Sequence, residues 1–505
     1  MAELVDALVS DASGEIRGSS SLLGHTNLIT TSLQRCFYLK RNIIKHVGKI
    51  HLSDHFTYKK ILKFTIAPIL MMFITSIYWV VDGFFLSNYA SSSAFAGVNL
   101  IFPVIMIVAC VGFMFGSGGA ALVSKYLGEK NTDKANKTFS AITYVTIGVG
   151  LVLTFIFFFL VRPIAQGFAG INSIKTTKEM IDNAEIYGRI MIGGVTLFVM
   201  QGYFHCFFSV NETSSLGFIF SLASGLINML LDLILVGVFK YGAIGAASAS
   251  LCGMFISTIG PILYFSLRKK NLIRLGIPQF VFKDIVKTIT NGSSEFVGNV
   301  SSSVISIVFN IQLLRYIGED GVSAYGIIGY VCFIFFAVFM GYTVGISPVI
   351  AYNFGAKNKK ELSNVIKKSF NIVAVVGLAM SVTALGLSRP LSMIFANDYP
   401  DLLELSTRAM MIYSVCYFIA GFSMFGSGLF TALNNGLLSA LISVCRTLVF
   451  QIVAVFTLPL LMGVDGIWAS IVVAELLASV MTLLIVFHRQ DKYGYEIIPK
   501  KEKLF

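Results

Sequence analysis

Between Ile61 and Leu86 the chain reads ILKFTIAPILMMFITSIYWVVDGFFL, a nearly unbroken apolar run that carries one acid, Asp82, close to its far end. A helix needs about 20 predominantly apolar residues to cross the hydrocarbon core of a bilayer, so the run predicts a transmembrane helix. An ionised carboxylate in that medium is costly unless a cation, a proton or a buried polar group stands beside it. Asp82 is therefore the first candidate functional residue.

The rest of the chain has the same character. Its 505 residues are 56% hydrophobic and only 13% charged, where soluble domains carry about a quarter charged residues. The 44 Phe, 45 Gly and 2 Trp suit helices packed through small residues, and no short alternating strands of a β-barrel are visible. The fold class expected is an all-α polytopic membrane protein. The net charge of +12 resides in short loops between apolar runs, where Lys and Arg set membrane orientation. No long basic stretch interleaved with aromatics points to nucleic acid, so none is expected as a partner. The 7 Cys are scattered without ligand spacing and read as small core hydrophobes.

Residues 1–58 form an N-terminal extension, Ser-rich and then basic, read as a disordered tail or an interfacial helix without a secretory signal. After it come twelve apolar segments, approximately 61–86, 94–123, 138–161, 183–209, 215–239, 243–267, 284–314, 321–350, 367–388, 402–430, 437–461 and 466–487. The fifth and sixth are separated only by a short turn around Tyr241-Gly242. Basic residues cluster before span 1 and after spans 2, 6, 8 and 12, with Arg162, Lys175, Lys178, Lys240 and Arg389 the main exceptions. The positive-inside rule then puts both termini in the cytoplasm of a multi-pass protein of the cell membrane.

The strongest organisational signal is internal. Residues 124–170 align without a gap to 351–397, so that Gly128, Lys130 and Asn131 fall on Gly355, Lys357 and Asn358, and Arg162-Pro163 falls on Arg389-Pro390. The turn at Gly242 and Gly245 matches Gly463 and Gly466. An even number of spans per half makes the repeats parallel, related by an axis along the membrane normal with a cavity between them. The expected organisation is an N-lobe over 59–267, a cytoplasmic linker over 268–283, a C-lobe over 284–488 and a cytoplasmic tail over 489–505.

At this point the sequence resembles the multidrug and toxic compound extrusion (MATE) family, in its bacterial type. The resemblance rests on Tyr78-Trp79-Val80-Val81-Asp82-Gly83-Phe84-Phe85, on Gly128-Glu129-Lys130-Asn131 and on Asn228-Met229-Leu230-Leu231-Asp232. It runs from about Lys59 to His488. It implies a secondary efflux pump that exchanges small-molecule drugs, mostly organic cations, for inward H⁺ or Na⁺ by alternating access of two lobes. It further implies a cation site in the N-lobe, carried over by position to Asp82, Asn228, Asp232 and Ser250, with Na⁺ held at the first three if Na⁺ is the coupling ion. Many relatives have Thr where this chain has Ser250. No other cofactor is implied, and the protein is expected to work in the lipid bilayer as a monomer.

The residues themselves are consistent with that site. Asn228 and Asp232 are four apart, on one helix face. Counting along the spans puts Asp82, Asp232 and Ser250 at similar depth, in the outer half of the membrane. Two carboxylates and two neutral oxygen donors at one level make either a Na⁺ cage or a proton site shared by coupled acids. Position 309, the counterpart of Asp82, is Phe, and the counterparts of Asn228 and Asp232 are Val449 and Val453, so the expected ion chemistry belongs to one lobe. Further candidates for substrate or proton binding are Glu295 in span 7, Gln201 and Tyr203 in span 4, and the mid-span pair Glu475 and Arg446, whose meeting the sequence leaves open. His205 reads as a helix-contact histidine rather than a titrating one.

Among other functions, a lipid-linked oligosaccharide flippase of the same superfamily is the alternative. Such a cavity needs several Arg or Lys for diphosphate groups, and only Arg446 lies deep in a span here. An enzyme is not expected: no His, Asp or Cys cluster marks a membrane edge, and no GxxxxGK[ST] motif offers ATP drive.

Overall fold

The computed structural model describes residues 50–171, 177–268, 271–397 and 399–497. Most of the N-terminal extension, Lys175, Lys269, Lys270 and the last basic residues of the tail lie outside them. The described residues form helices and no strand.

Eleven helices are long and apolar enough to cross a membrane. They are span 1 (Tyr58–Tyr89), span 2 (Ser93–Gly128), span 3 (Thr132–Gly167), span 5 (Ser214–Val238), span 6 (Gly242–Leu267), span 7 (Phe282–Tyr316), span 8 (Glu319–Gly355), span 9 (Lys359–Gly386), span 10 (Pro400–Ala432), span 11 (Gly436–Met462) and span 12 (Val464–Tyr493). Span 4 is the twelfth, a bent pair of Lys178–Gly193 and Val195–Val210 at 54° to each other. Every expected span is present, most of them longer than expected, because helices continue through polar ends that hydropathy leaves out. The bend falls at Gly193-Gly194, where a Cβ on Gly194 would stand 2.3 Å from Leu251 Cδ2 of span 6. A side chain at this position would have to displace Leu251.

The internal repeat reappears in the backbone. The left-handed residues that end spans come in matched pairs: Lys130 (φ 61°) with Lys357 (φ 54°), Glu212 (φ 58°) with Asn434 (φ 59°), and Gly242 (φ 52°) with Gly463 (φ 61°). Each lobe has its own apolar core, one around Trp79, Ile101, Tyr187 and Val195, the other around Phe309, Ile328, Tyr417 and Trp468.

The lobes meet along glycines near the end that carries the basic loops. A Cβ on Gly118 would lie 2.1 Å from the Thr288 carbonyl oxygen, on Gly292 1.8 Å from that of Met114, and on Gly341 2.5 Å from Ile69 Cα. Toward the opposite end, Gly83 of span 1 and Gly326 and Gly329 of span 8 have nothing within 4 Å of such a position. The inter-lobe seam is thus closely packed toward the basic end.

The expectation of a loose extension up to residue 58 does not hold for its last residues. Leu52 donates its N–H to Glu212 Oε1 at 2.8 Å, and Phe56 donates to Glu361 Oε1 at 2.8 Å. His55 Nδ1 meets Glu361 Oε2 at 2.7 Å, and Lys368 and Asn364 both donate to the Phe56 carbonyl. The segment entering span 1 therefore ties the turn between spans 4 and 5 of the N-lobe to span 9 of the C-lobe. Residues 52–57 are too few and too mixed in polarity to carry a periodic signal for this.

One exception to the charge asymmetry, Arg162, has a local partner, as do two further arginines. Arg162 and Arg189 both pair with Glu185, at 3.1 and 2.8 Å, and Arg408 pairs with Asp465 at 2.5 Å. Three arginines at the end opposite the basic loops thus have a local acid, Arg162 and Arg189 sharing one.

Candidate functional site

Asp82 lies in the last third of span 1 and Asp232 at the point where the α-helix of span 5 passes into a π-helical turn, Leu233–Val238. Such turns widen a helix locally and recur at functional sites. Glycines lie where the neighbouring helices approach each other. A Cβ at Gly225 of span 5 would already be in van der Waals contact with Ile74 and Tyr78 of span 1, at 3.6 and 3.7 Å. At Gly253 of span 6 it would stand 2.7 Å from the Ser224 carbonyl oxygen and 3.2 Å from Asn228 Cβ. Spans 1, 5 and 6 are consequently drawn together at one level.

At that level the Asp82 and Asp232 carboxyl groups are neighbours, and the Asn228 side chain adjoins Asp232. Asn228 Nδ2 donates to Ser250 Oγ at 3.3 Å, joining spans 5 and 6. Asp82, Asn228, Asp232 and Ser250 are all buried, with at most 3% of each residue exposed. The four residues that depth counting set level are brought together.

What the cluster lacks is partners. Asp82 Oδ1, Asn228 Oδ1 and both carboxylate oxygens of Asp232 are buried without a hydrogen bond. No Lys, Arg or His forms an ion pair with either acid among the described residues. Buried polar atoms are almost always bonded, and an exception calls for an explanation such as an ion or a proton. Oxygen atoms alone, from two carboxyl groups, an amide and a hydroxyl, are the donors that hard cations such as Na⁺ accept, and a proton shared by the carboxyl groups would satisfy the same atoms. The residues present fit either ion.

Three further residues complete the surround. Tyr187, on the first half of broken span 4, is fully buried with its hydroxyl unbonded, close to Asp82, Asp232 and Tyr78. The Tyr78 hydroxyl adjoins Gln201, whose two amide atoms are likewise unbonded. Gln201 was a candidate for substrate or proton binding rather than for the ion cluster; Tyr187 was no candidate, since a tyrosine in an apolar helix reads as core. Span 4 breaks beyond it, and that break leaves no mark in hydropathy, although the Gly193-Gly194 pair is a signal for it.

Other candidates separate. Tyr203 does not line the cavity as expected: its hydroxyl bonds Thr143 Oγ1 at 2.7 Å and its ring packs among Phe139, Phe204 and Phe207. Two residues beyond Gln201, it stands on another face of the helix. His205 is buried with Nε2 against Ser221 Oγ at 3.1 Å, a helix contact as expected. Glu475 and Arg446 do pair: Arg446 Nε donates to both carboxylate oxygens, at 2.8 and 2.9 Å, and Ser423 Oγ donates to Oε2 at 3.0 Å. Glu295 lies between the lobes, near Cys110 and Cys206 on one side and Arg446 on the other.

Sequence reading missed a stripe on span 7. Glu295, Asn299, Ser302 and Ser303 follow the spacing of one helix face, and Asn299 and Ser302 are exposed. A different face of the same helix exposes Val304, Ile307, Ile311 and Leu314. An apolar face suits lipid, whereas exposed Asn and Ser at that depth suit a water-filled cavity. The periodicity of the polar residues was the available signal.

Known proteins agree with this architecture. The chain is 23% identical over 437 residues to the multidrug export protein MepA of Staphylococcus saprophyticus, covering 86% of this chain and 94% of that one. It is 22% identical over 440 residues to MepA of Staphylococcus aureus, again covering 86% and 94%. Among solved structures, the outward-facing conformation of a multidrug resistance MATE family transporter superposes with a TM-score of 0.82 at 18% identity, over 88% of this chain and 99% of that one. A crystal structure of a MATE in complex with MaL6 gives 0.81 at 17%, over 87% and 98%. The MatE family model matches residues 68–234 and 295–457, one segment in each lobe, and the chain belongs to that family.

Proposed function

We propose that the protein is a cation-coupled multidrug exporter, in which Asp82, Asn228, Asp232 and Ser250 bind the coupling ion. The observation that carries the reading is the group of four unbonded buried oxygens on Asp82, Asn228 and Asp232, with no basic residue among the described ones paired to them. The relatives named as multidrug export proteins supply the transport direction and the breadth of substrate.

In this reading the basic end is cytoplasmic, and the closed seam there corresponds to an outward-open state. H⁺ or Na⁺ entering from outside neutralises the two acids. The energy of two ionised carboxyl groups held side by side out of water is relieved, which allows spans 1, 5 and 6 to close on one another and eject substrate. Return to the inward-open state releases the ion to the cytoplasm. The same acids serve either ion, since both neutralise the same charge. Organic cations suit a cavity with acidic groups and few basic ones.

The test is efflux of ethidium from cells producing wild type, Asp82→Asn or Asp232→Asn at matched membrane abundance. The reading expects export to fall to background in both variants; export at the wild-type rate in both would refute it. Imposing a pH gradient and a Na⁺ gradient separately on proteoliposomes identifies the ion.

A further inference from the structure

At the basic end the lobes are joined by more than packed helices, because residues 52–57, which lead into span 1, reach both of them. Phe56 is fully buried, its ring edge-on to Phe64 with 5.9 Å between centroids. Both of its backbone groups are taken by span 9 of the C-lobe. The N–H donates to Glu361 Oε1 at 2.8 Å, and the carbonyl accepts from Asn364 Nδ2 at 2.9 Å and Lys368 Nζ at 2.8 Å. His55 Nδ1 meets the other oxygen of the same carboxylate at 2.7 Å, and Tyr58 accepts at its hydroxyl from Asn371 Nδ2 at 2.8 Å. Hydrogen bonds with an ionised partner are short and strong, and here they converge on a buried glutamate. This end is an anchor.

The other end meets the N-lobe. Leu52, itself buried, donates its N–H to Glu212 Oε1 at 2.8 Å, in the turn between spans 4 and 5. The repeat shows why a strap is needed there. By the matched left-handed residues the counterpart of Glu212 is Asn434, whose Nδ2 donates across the seam to the Ala121 carbonyl of span 2 at 3.4 Å. An ionised carboxylate accepts and cannot donate, so Glu212 has no such direct reach to a backbone carbonyl. It takes its donor from the strap instead. The counterpart of Glu361 is Lys134, so the anchor also belongs to one side of the molecule.

We propose that residues 52–57 are a conformational latch, anchored on Glu361 of the C-lobe and caught by Glu212 of the N-lobe, which holds the basic end closed. Four residues separate the two bonded N–H groups, a span of at most about 14 Å when extended. Wider parting of the turn from span 9 needs one end to let go, and the Leu52 end gives first because Phe56 is held through both backbone groups and its ring. The strength of the Leu52 to Glu212 bond then weights the two states of the protein. The inference rests on the export reading for its purpose, since alternating access requires the basic end to open.

The experiment reads how often that end opens. Thr288 is fully buried where its carbonyl faces Gly118 across the seam. In Thr288→Cys, full-length and in nanodiscs, alkylation by N-ethylmaleimide is followed peptide by peptide by mass spectrometry, with native Cys416, fully buried in the C-lobe core, as control. When the lobes close again faster than alkylation occurs, the rate reports the open population. Leu52→Pro, which removes the donated N–H, and Glu212→Ala are each expected to raise the rate at position 288 by about tenfold, as loss of a hydrogen bond to a charged group implies. The rate at Cys416 should stay unchanged, and Leu52→Ala, which keeps the N–H, should stay near wild type. An unchanged rate at position 288 in both Leu52→Pro and Glu212→Ala overturns the proposal. An equal rise at Cys416 also overturns it, because it marks general loosening. Ethidium efflux measured alongside separates the two readings. If wild type exports and neither substitution moves the rate, the latch fails alone; if wild type exports nothing while both substitutions raise the rate at position 288 only, the export reading fails and the latch stands.

Discussion

Gly355 lies so close to Lys125 that a Cβ there would stand 2.2 Å from the Lys125 carbonyl oxygen, and a Cβ on Gly128 would stand 2.0 Å from that of Tyr352. In the repeat, Gly128 corresponds to Gly355 and Lys125 to Tyr352. The two contacts are the same contact seen from either lobe, so the pseudo-two-fold axis passes between them. The lobes are clamped at their basic ends, where backbone meets backbone and no side chain fits.

Replacing either glycine should therefore act on conformation rather than on the ion site. Gly355→Leu is expected to lower dye efflux by about tenfold or more, since a Cβ inside van der Waals contact must push the helices apart. Spin labels on the basic ends of spans 2 and 8 should report the change by electron paramagnetic resonance distance measurement, as a longer distance in the variant.

Ser250 is expected to be a supporting ligand. Ser250→Ala removes the hydroxyl that accepts from the Asn228 amide, and leaving a buried amide unbonded costs about 1–3 kcal/mol. The concentration of coupling ion for half-maximal transport should rise severalfold, measured in proteoliposomes. Ser250→Thr, which keeps the hydroxyl, should stay near wild type.

The Arg446 and Glu475 pair makes a prediction about stability. Glu475→Ala leaves a mostly buried guanidinium without its counter-ion and should cost about 3–5 kcal/mol, whereas Arg446→Met/Glu475→Leu together should be close to neutral. Thermal unfolding in detergent would separate the two, with a large drop in Tm for the single variant only.

The strap at residues 52–57 gives another. Glu361 accepts from Phe56 N–H and Asn364 and meets His55. Glu361→Ala should release the strap and expose it to protease. Limited proteolysis is expected to cut between Leu52 and Tyr58 faster in the variant, with a Tm lower by a few degrees.

Much of this was legible in the sequence. The run from Ile61 to Leu86, its eleven successors and the gapless match of 124–170 to 351–397 determined a helical membrane protein of two parallel halves, because in lipid a backbone must satisfy its own hydrogen bonds within a helix. The level placement of Asp82, Asn228, Asp232 and Ser250 also followed, from a rise of about 1.5 Å per residue and alternating span direction. Local rules could not supply what depends on rotation about each helix axis and on bends. Tyr187, on the half of span 4 before the Gly193-Gly194 break, stands close to the acids, and Tyr203 turns away to Thr143. Arg446, on a π-helical turn of span 11, meets Glu475 of span 12. Hydropathy fixes where a residue lies along the membrane normal; only the packed helices decide which way its side chain faces and what it finds there.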